Sequence, residues 1–196
     1  MRPEHARQVA QLHISGIATG FISSLGPNFV TAMYEAIAAS RFGLGLVAEK
    51  NGRIVGFVAF TTNITGLYKS SILNRGLLFT LLLAGKMLSV SRLKKAFETL
   101  FYPARVQKQS MPKAELLSIV VAPEERRKGL SQKLVREGLT ECQRRGIDRI
   151  KVLVGADNNP ANGLYQKCGF ELVGQIENHG VLSNVYVAQT NHFEHP

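Results

Sequence analysis

Residues 115–131 read Glu115-Leu116-Leu117-Ser118-Ile119-Val120-Val121-Ala122-Pro123-Glu124-Glu125-Arg126-Arg127-Lys128-Gly129-Leu130-Ser131. The run from Glu115 to Val121 has the length and apolar character of a buried strand, and Pro123 ends it because proline cannot donate to a ladder. From Leu130 the apolar residues change period. Leu130, Leu134, Val135, Leu139 and Cys142 share one face of a predicted helix over 130–145, which Gly146 stops. Arg149-Ile150-Lys151-Val152-Leu153-Val154 then returns as a strand. Strand, helix and strand at this spacing make a parallel β-α-β unit, so the fold class is α/β. The turn that joins the first strand to the helix is suited to phosphate. Amides at a helix start lack intrahelical partners and the dipole is positive there. Gly129 lets an anion approach closely, and Arg126, Arg127 and Lys128 add charge. The turn is neither a P-loop nor a dinucleotide fingerprint, since the lysine-serine/threonine ending and the further glycines are missing.

Toward the N-terminus, the spacing predicts helices over 5–12 and 28–39, with Gly43 and Gly45 breaking the pattern. Leu46-Val47-Ala48-Glu49 and Ile54-Val55-Gly56-Phe57-Val58-Ala59-Phe60 flank Asn51-Gly52, a hairpin signal. Toward the C-terminus a short helix over 160–167 precedes two closing strands over 170–173 and 181–188. No repeat, low-complexity tract or linker interrupts the 196 residues, so residues 1–196 read as one domain. With 45% hydrophobic and 19% charged residues the composition excludes disordered and fibrous classes. The two cysteines, Cys142 and Cys168, suit a reducing compartment rather than a disulfide framework. Residues 1–7 lead into no signal-peptide core, and a cytoplasmic protein is the expectation.

The net charge of +10 is concentrated between residues 61 and 113, where nine Lys/Arg face one acid, Glu98. Such a segment attracts anions: nucleic acid, an anionic membrane surface or a phosphorylated small substrate. No nucleic-acid partner is expected, because aromatics interleaved with the basic residues are lacking. Helices are predicted over 72–88 and 91–101, closed by Pro103. The apolar run over 76–85 is short of the ~20 residues that span a bilayer. It reads as a buried helix, with a helix lying on a membrane surface or on a partner as the alternative.

Arg126-Arg127-Lys128-Gly129-Leu130-Ser131, after Val121-Ala122-Pro123, resembles the Arg/Gln-x-x-Gly-x-Gly/Ala signature of the GNAT superfamily of acetyl-CoA-dependent N-acetyltransferases. A second block, residues 158–170 with Asn158, Ala161, Leu164, Tyr165, Gly169 and Phe170, resembles the family's Asn-x-x-Ala-x-x-Leu-Tyr-x-x-x-Gly-Phe. The likeness covers residues 115–173, the hairpin fits the family's early strands, and residues 61–113 stand outside it as a basic, helical insertion. Ser131 departs from the usual Gly or Ala, and Arg127 takes a position often held by glycine.

The resemblance implies a GNAT-type α/β domain with a mixed central sheet and helices on both faces. It implies acetyl-CoA as acyl donor, bound by Ile119, Val120 and Val121 along the pantetheine, with Ile119 and Val121 pairing as an added strand would. Amides of Arg126, Arg127, Lys128, Gly129, Leu130 and Ser131 would hold the pyrophosphate, and Asn158 the pantetheine. Tyr165 would be the general acid for the departing thiolate, and Glu115 the base for the amine, directly or through water. The bland alternatives are a core tyrosine and a solvent-facing strand-end glutamate. Transfer would be direct, the oxyanion held by strand N–H near Val121. No metal is expected; His192 and His195 lack ligand spacing, and His13, Glu35 and Glu49 are weaker base candidates. The acceptor is an amine on a small molecule or peptide, an anionic one suiting the basic insertion, which also permits peripheral membrane contact. O-acetylation and longer acyl donors stay open. A non-catalytic module that binds acyl-CoA or a partner is the competing class, and the oligomeric state is undetermined.

Overall fold

The computed structural model describes residues 1–84, 111–178 and 181–192. The expected helix over 91–101, its closure at Pro103, the end of the 72–88 helix and His195 lie outside the described residues. Six strands form one mixed sheet in the order β1-β2-β3-β4-β6-β5. They are β1 (Gly43–Lys50), β2 (Arg53–Thr61), β3 (Glu115–Val121), β4 (Arg149–Gly155), β5 (Glu171–Asn178) and β6 (Val181–Gln189). The helices are α1 (Ala6–Gly16), α2 (Phe21–Ser24), α3 (Pro27–Ala39), α4 (Ile64–Ala84), α5 (Leu130–Arg144) and α6 (Asn159–Lys167).

The hairpin, the β-α-β unit and the second closing strand stand where the sequence pattern puts them, whereas β5 runs on to Asn178, past the expected end at residue 173. Asn51 (φ 52°) and Gly52 (φ 74°) supply the two left-handed residues of a tight hairpin turn. β3 and β4 are parallel neighbours, and every other neighbouring pair is antiparallel. Gly43 and Gly45, expected as breakers, lie inside β1. A Cβ on Gly43 would meet the Ile37 carbonyl oxygen at 1.9 Å, so that glycine marks the close approach of α3 to the strand. Two helices are longer than expected: α1 runs on to Gly16, and α4 starts at Ile64 rather than residue 72. Asn63 explains the earlier start, since its Oδ1 accepts from the Gly66 amide at 3.0 Å as an N-cap does.

Two core clusters lie on opposite faces of the sheet. On one, Val135, Leu139 and Cys142 of α5 pack with Val58, Phe60, Leu116 and Val152. On the other, Val9, Val30 and Tyr34 of α1 and α3 pack with Phe57, Ala59 and Val120. Gly138 brings α5 so close to β2 that a Cβ there would sit 2.1 Å from the Phe60 ring. That contact seats the helix whose first turn bears on the site.

α4 differs from the expectation of burial. Ile64 and Leu67 are buried, yet Leu73, Leu77 and Leu81 stand exposed. α3 covers only one side of this helix, through Phe79 against Phe29 at 5.3 Å and Arg75 with Glu35 at 2.5 Å. The apolar residues ring the helix, so covering one side leaves the other in water.

Candidate active site

Ala122 N–H donates to Val55 O at 2.8 Å, which turns the backbone of alternate β3 residues, Val120 and Ser118, toward β2. Val121 and Ile119 therefore point their N–H and C=O groups the other way, toward β4. There the β3–β4 register consists of Glu115 opposite Lys151 and Leu116 opposite Val152, and ends. Beyond Leu116 the two strands part. A bulge in the pairing with β2 falls at the same place, between Leu116 and Ser118. Of the three strand residues singled out in the sequence, Ile119 and Val121 thus line the open edge, whereas Val120 packs its side chain among α1 and α3.

Past β3 a short 3-10 turn, Pro123–Glu125, leads into the basic loop. Arg127 (φ 61°) and Gly129 (φ 78°) are both left-handed, a curl of backbone that presents successive amides to an anion. Holding Arg127 there costs roughly 1 kcal/mol that glycine would not incur. Gly129 is the N-cap of α5 and brings no side chain to cap it. The first amides of the helix, from Leu130 and Ser131 onward, are left to a ligand. Two of the loop's basic side chains are anchored. Arg126 Nε donates to Val121 O at 3.1 Å, and Lys128 Nζ lies 3.0 Å from Glu125, which also pairs with Lys50 at 2.7 Å. The two ammonium groups hold the Glu125 carboxyl below its usual range, Lys50 first.

Across the gap, Asn158 caps α6: its Oδ1 accepts from the Ala161 amide at 3.3 Å, and the residue is exposed. Asn162, one turn on, is buried in a network: its Nδ2 donates to Gly155 O and Asn158 O, and its Oδ1 accepts from Asn184 and Tyr186. That network fixes α6 against β4 and β6. Tyr165 follows on the same helix, 5% exposed, with its ring edge-on to Phe170 at 5.6 Å. Burial, and then the neighbouring Cys168 thiol, raise its phenol above the ordinary value. Burial likewise pushes the Cys142 thiol up to about 12 and raises Cys168, so neither is a ready nucleophile.

Glu115 is at the foot of the gap, buried, with Oε2 3.1 Å from Lys151 Nζ. Lys151 is fully buried and also donates to Pro112 O at 2.6 Å. Tyr68 of α4 stands near enough for the Glu115 charge to add to burial in raising its phenol. Ile64 and Tyr68 pack with Leu117 and Leu153 from either side of the gap. Among the weaker base candidates, Glu35 is paired with Arg75.

His13 belongs to a chain that the sequence alone did not reveal. Its Nδ1 lies 2.7 Å from the Tyr34 hydroxyl, which lies 2.8 Å from Ser118 Oγ on β3. Nε2 is buried without a hydrogen-bond partner. Burial lowers the imidazole from 6.5 to about 4. Between those two values the unfolded chain binds a proton that the native state refuses. The contribution of His13 to stability is therefore level above pH 6.5 and falls as pH drops toward 4, by about 3 kcal/mol in all. Urea unfolding of wild type and His13→Gln across this window tests it; equal pH slopes would remove His13 as the cause.

A cavity of about 480 Å³ lies elsewhere, between β1 and α5 beside Met1 and Glu141, and takes in none of these residues. Among the described residues, no group of three His, Cys, Asp or Glu side chains is placed to hold a metal ion.

A family model described as "Acetyltransferase (GNAT) family" matches residues 17–170. A Bacillus subtilis (strain 168) protein named for ribosomal protein bS18-alanine N-acetyltransferase activity is 32% identical over 69 residues, 35% of this chain and 46% of that protein. A mycothiol acetyltransferase of Saccharomonospora viridis is 36% identical over 62 residues, 32% of this chain and 20% of that protein. The matches thus span less than half the length of either relative. In fold, the crystal structure of the ribosomal-protein-S18-alanine N-acetyltransferase of Escherichia coli superposes with a TM-score of 0.60 at 14% identity, covering 97% of this chain and 90% of that one. A GNAT acetyltransferase structure from Streptococcus pneumoniae gives 0.59 at 20% identity, covering 96% and 95%.

Proposed function

The chain belongs to the GNAT acetyltransferase family, and from that premise we propose that it transfers an acetyl group from acetyl-CoA to an amine by direct attack. The observation that carries this reading is the open edge of β3. The ladder to β4 stops at Leu116 while β3 continues to Val121, and uncapped amides of α5 lie beyond. An amide-bearing pantetheine arm matches that edge as an added strand would, on Ile119 and Val121. Its pyrophosphate would take the amides between Arg126 and Ser131. Asn158 Nδ2 would reach the pantetheine from the other wall.

Acetyl-CoA, when bound, supplies an activated thioester carbonyl. Tyr165, keeping its proton because it is buried, donates it to the leaving sulfur. Glu115, held in place by Lys151, receives the amine proton through water. An ammonium 3.1 Å away weakens a carboxylate as a base. The transfer is therefore timed with or after attack, when the nitrogen has become far more acidic. The two relatives are named for different molecules, a ribosomal-protein alanine and mycothiol. For this chain the acceptor is an amine, and an anionic one suits the nine basic residues between 61 and 113. Two buried free cysteines favour a reducing compartment such as the cytoplasm.

Isothermal titration with acetyl-CoA tests the premise of the site. Saturable binding to wild type is expected, lost in an Arg126→Glu, Gly129→Glu double variant. Absence of binding to folded wild-type protein would overturn the reading.

A further inference from the structure

Leu73, Leu77 and Leu81 are 86%, 78% and 65% exposed. At intervals of four residues they form a row along the outer face of α4, with Ile72, 51% exposed, beside it. Lys69 continues the row one turn toward the N-terminus and is itself exposed. No Asp or Glu occurs anywhere in α4. The stretch 61–113 to which it belongs carries nine Lys/Arg against Glu98 alone.

We propose that α4 is an interfacial anchor that lays its leucine row into the surface of an anionic lipid bilayer. An apolar row on an acid-free helix, within a stretch of nine basic residues against one acid, matches acyl chains lying beneath anionic headgroups. Nucleic acid would take the charge and leave the leucines in water. A second copy of this chain would set Lys69, in line with the row, against a helix that offers no acid to meet it, so self-association through this face is opposed. No helix among the described residues is long and apolar enough to cross a membrane, and α4 accordingly lies in the plane of the surface. Its first turns pack Ile64 and Tyr68 against Leu117 and Leu153 beside the gap between β3 and β4. Docking through the later turns brings that gap to the bilayer. The inference rests on the exposed face of α4 and the charge of the stretch around it, and stands apart from acetyl transfer.

The test is co-sedimentation of the full chain with phosphatidylglycerol–phosphatidylcholine vesicles and with pure phosphatidylcholine vesicles. Wild type is expected to partition at least about tenfold better onto the anionic vesicles. Leu73→Glu, Leu77→Glu is expected to lose this by about tenfold or more, with an unchanged urea midpoint because both side chains are exposed. Part of the wild-type binding persists in high salt, since insertion is not screened. Wild type that stays in the supernatant overturns the proposal. So does a double variant that partitions like wild type, which would leave charge alone at work. Binding to an oligonucleotide or an acidic polypeptide in preference to the vesicles, or a dimer that the leucine variant dissociates, also overturns it.

Discussion

Lys151→Met is expected to destabilise the protein by about 3–5 kcal/mol, the cost of leaving a buried charge without its partner. The ammonium is wholly buried and joins Glu115 of β3 to the carbonyl of Pro112. Methionine fills much of the same volume and supplies neither charge nor donor. The carboxylate and the carbonyl would both stay in the interior without the ammonium that now meets them. Adding Glu115→Gln to Lys151→Met should restore a large part of the loss, because it removes the stranded charge. Chemical denaturation of the two variants reads this directly. A single variant within about 1 kcal/mol of wild type would mean that water compensates the pair and that the foot of the gap is wet.

Tyr165→Phe is expected to lower kcat by about 10²–10⁴, the range of general acid catalysis, while the acetyl-CoA Kd stays within about twofold. The ring sits edge-on to Phe170 and 6.3 Å from Tyr186, and phenylalanine keeps that packing. Only the proton is removed. Because burial raises the phenol, the donor form is complete at every pH below its shifted range. The wild-type rate should therefore show no descending limb from this group near neutrality. Unchanged kcat in the variant would return Tyr165 to the core and give the proton to water or to another group.

Much of the scaffold was legible because its signals are local. Asn51-Gly52 dictates a turn, Leu134, Val135 and Leu139 dictate a helix face, and Gly129 dictates a left-handed helix start. The stretch from Glu115 to Ser131, together with the block over 158–170, carried the family resemblance by the same kind of local constraint. What stayed hidden depends on partners distant in sequence. Lys151 lies in a strand whose pattern says nothing of its partner, and only the parallel register of β3 and β4 sets Glu115 opposite it. The contact between His13, Tyr34 and Ser118 joins three elements and leaves no periodic trace. Asn162 reads as a polar helix residue until β6 brings Asn184 and Tyr186 to it. Burial of the 76–85 run fails at Leu77, Leu78 and Leu81, because periodicity reports which residues are apolar and not whether a neighbour exists to cover them. α3 reaches one side of α4 only.

The parting of β3 from β4 has a consequence for how water meets the sheet. Val120 and Ile119 are adjacent in the chain, yet one amide is turned to β2 and the other to the gap. A single strand thus alternates between amides locked in a ladder and amides open to hydrogen exchange, within one residue of each other. The protected amides share in the unfolding of the β1–β3 half, whereas the open ones respond to whatever occupies the gap. The strand is at once laddered along its length to one half-sheet and the part of the other whose pairing is left unfinished by the chain itself.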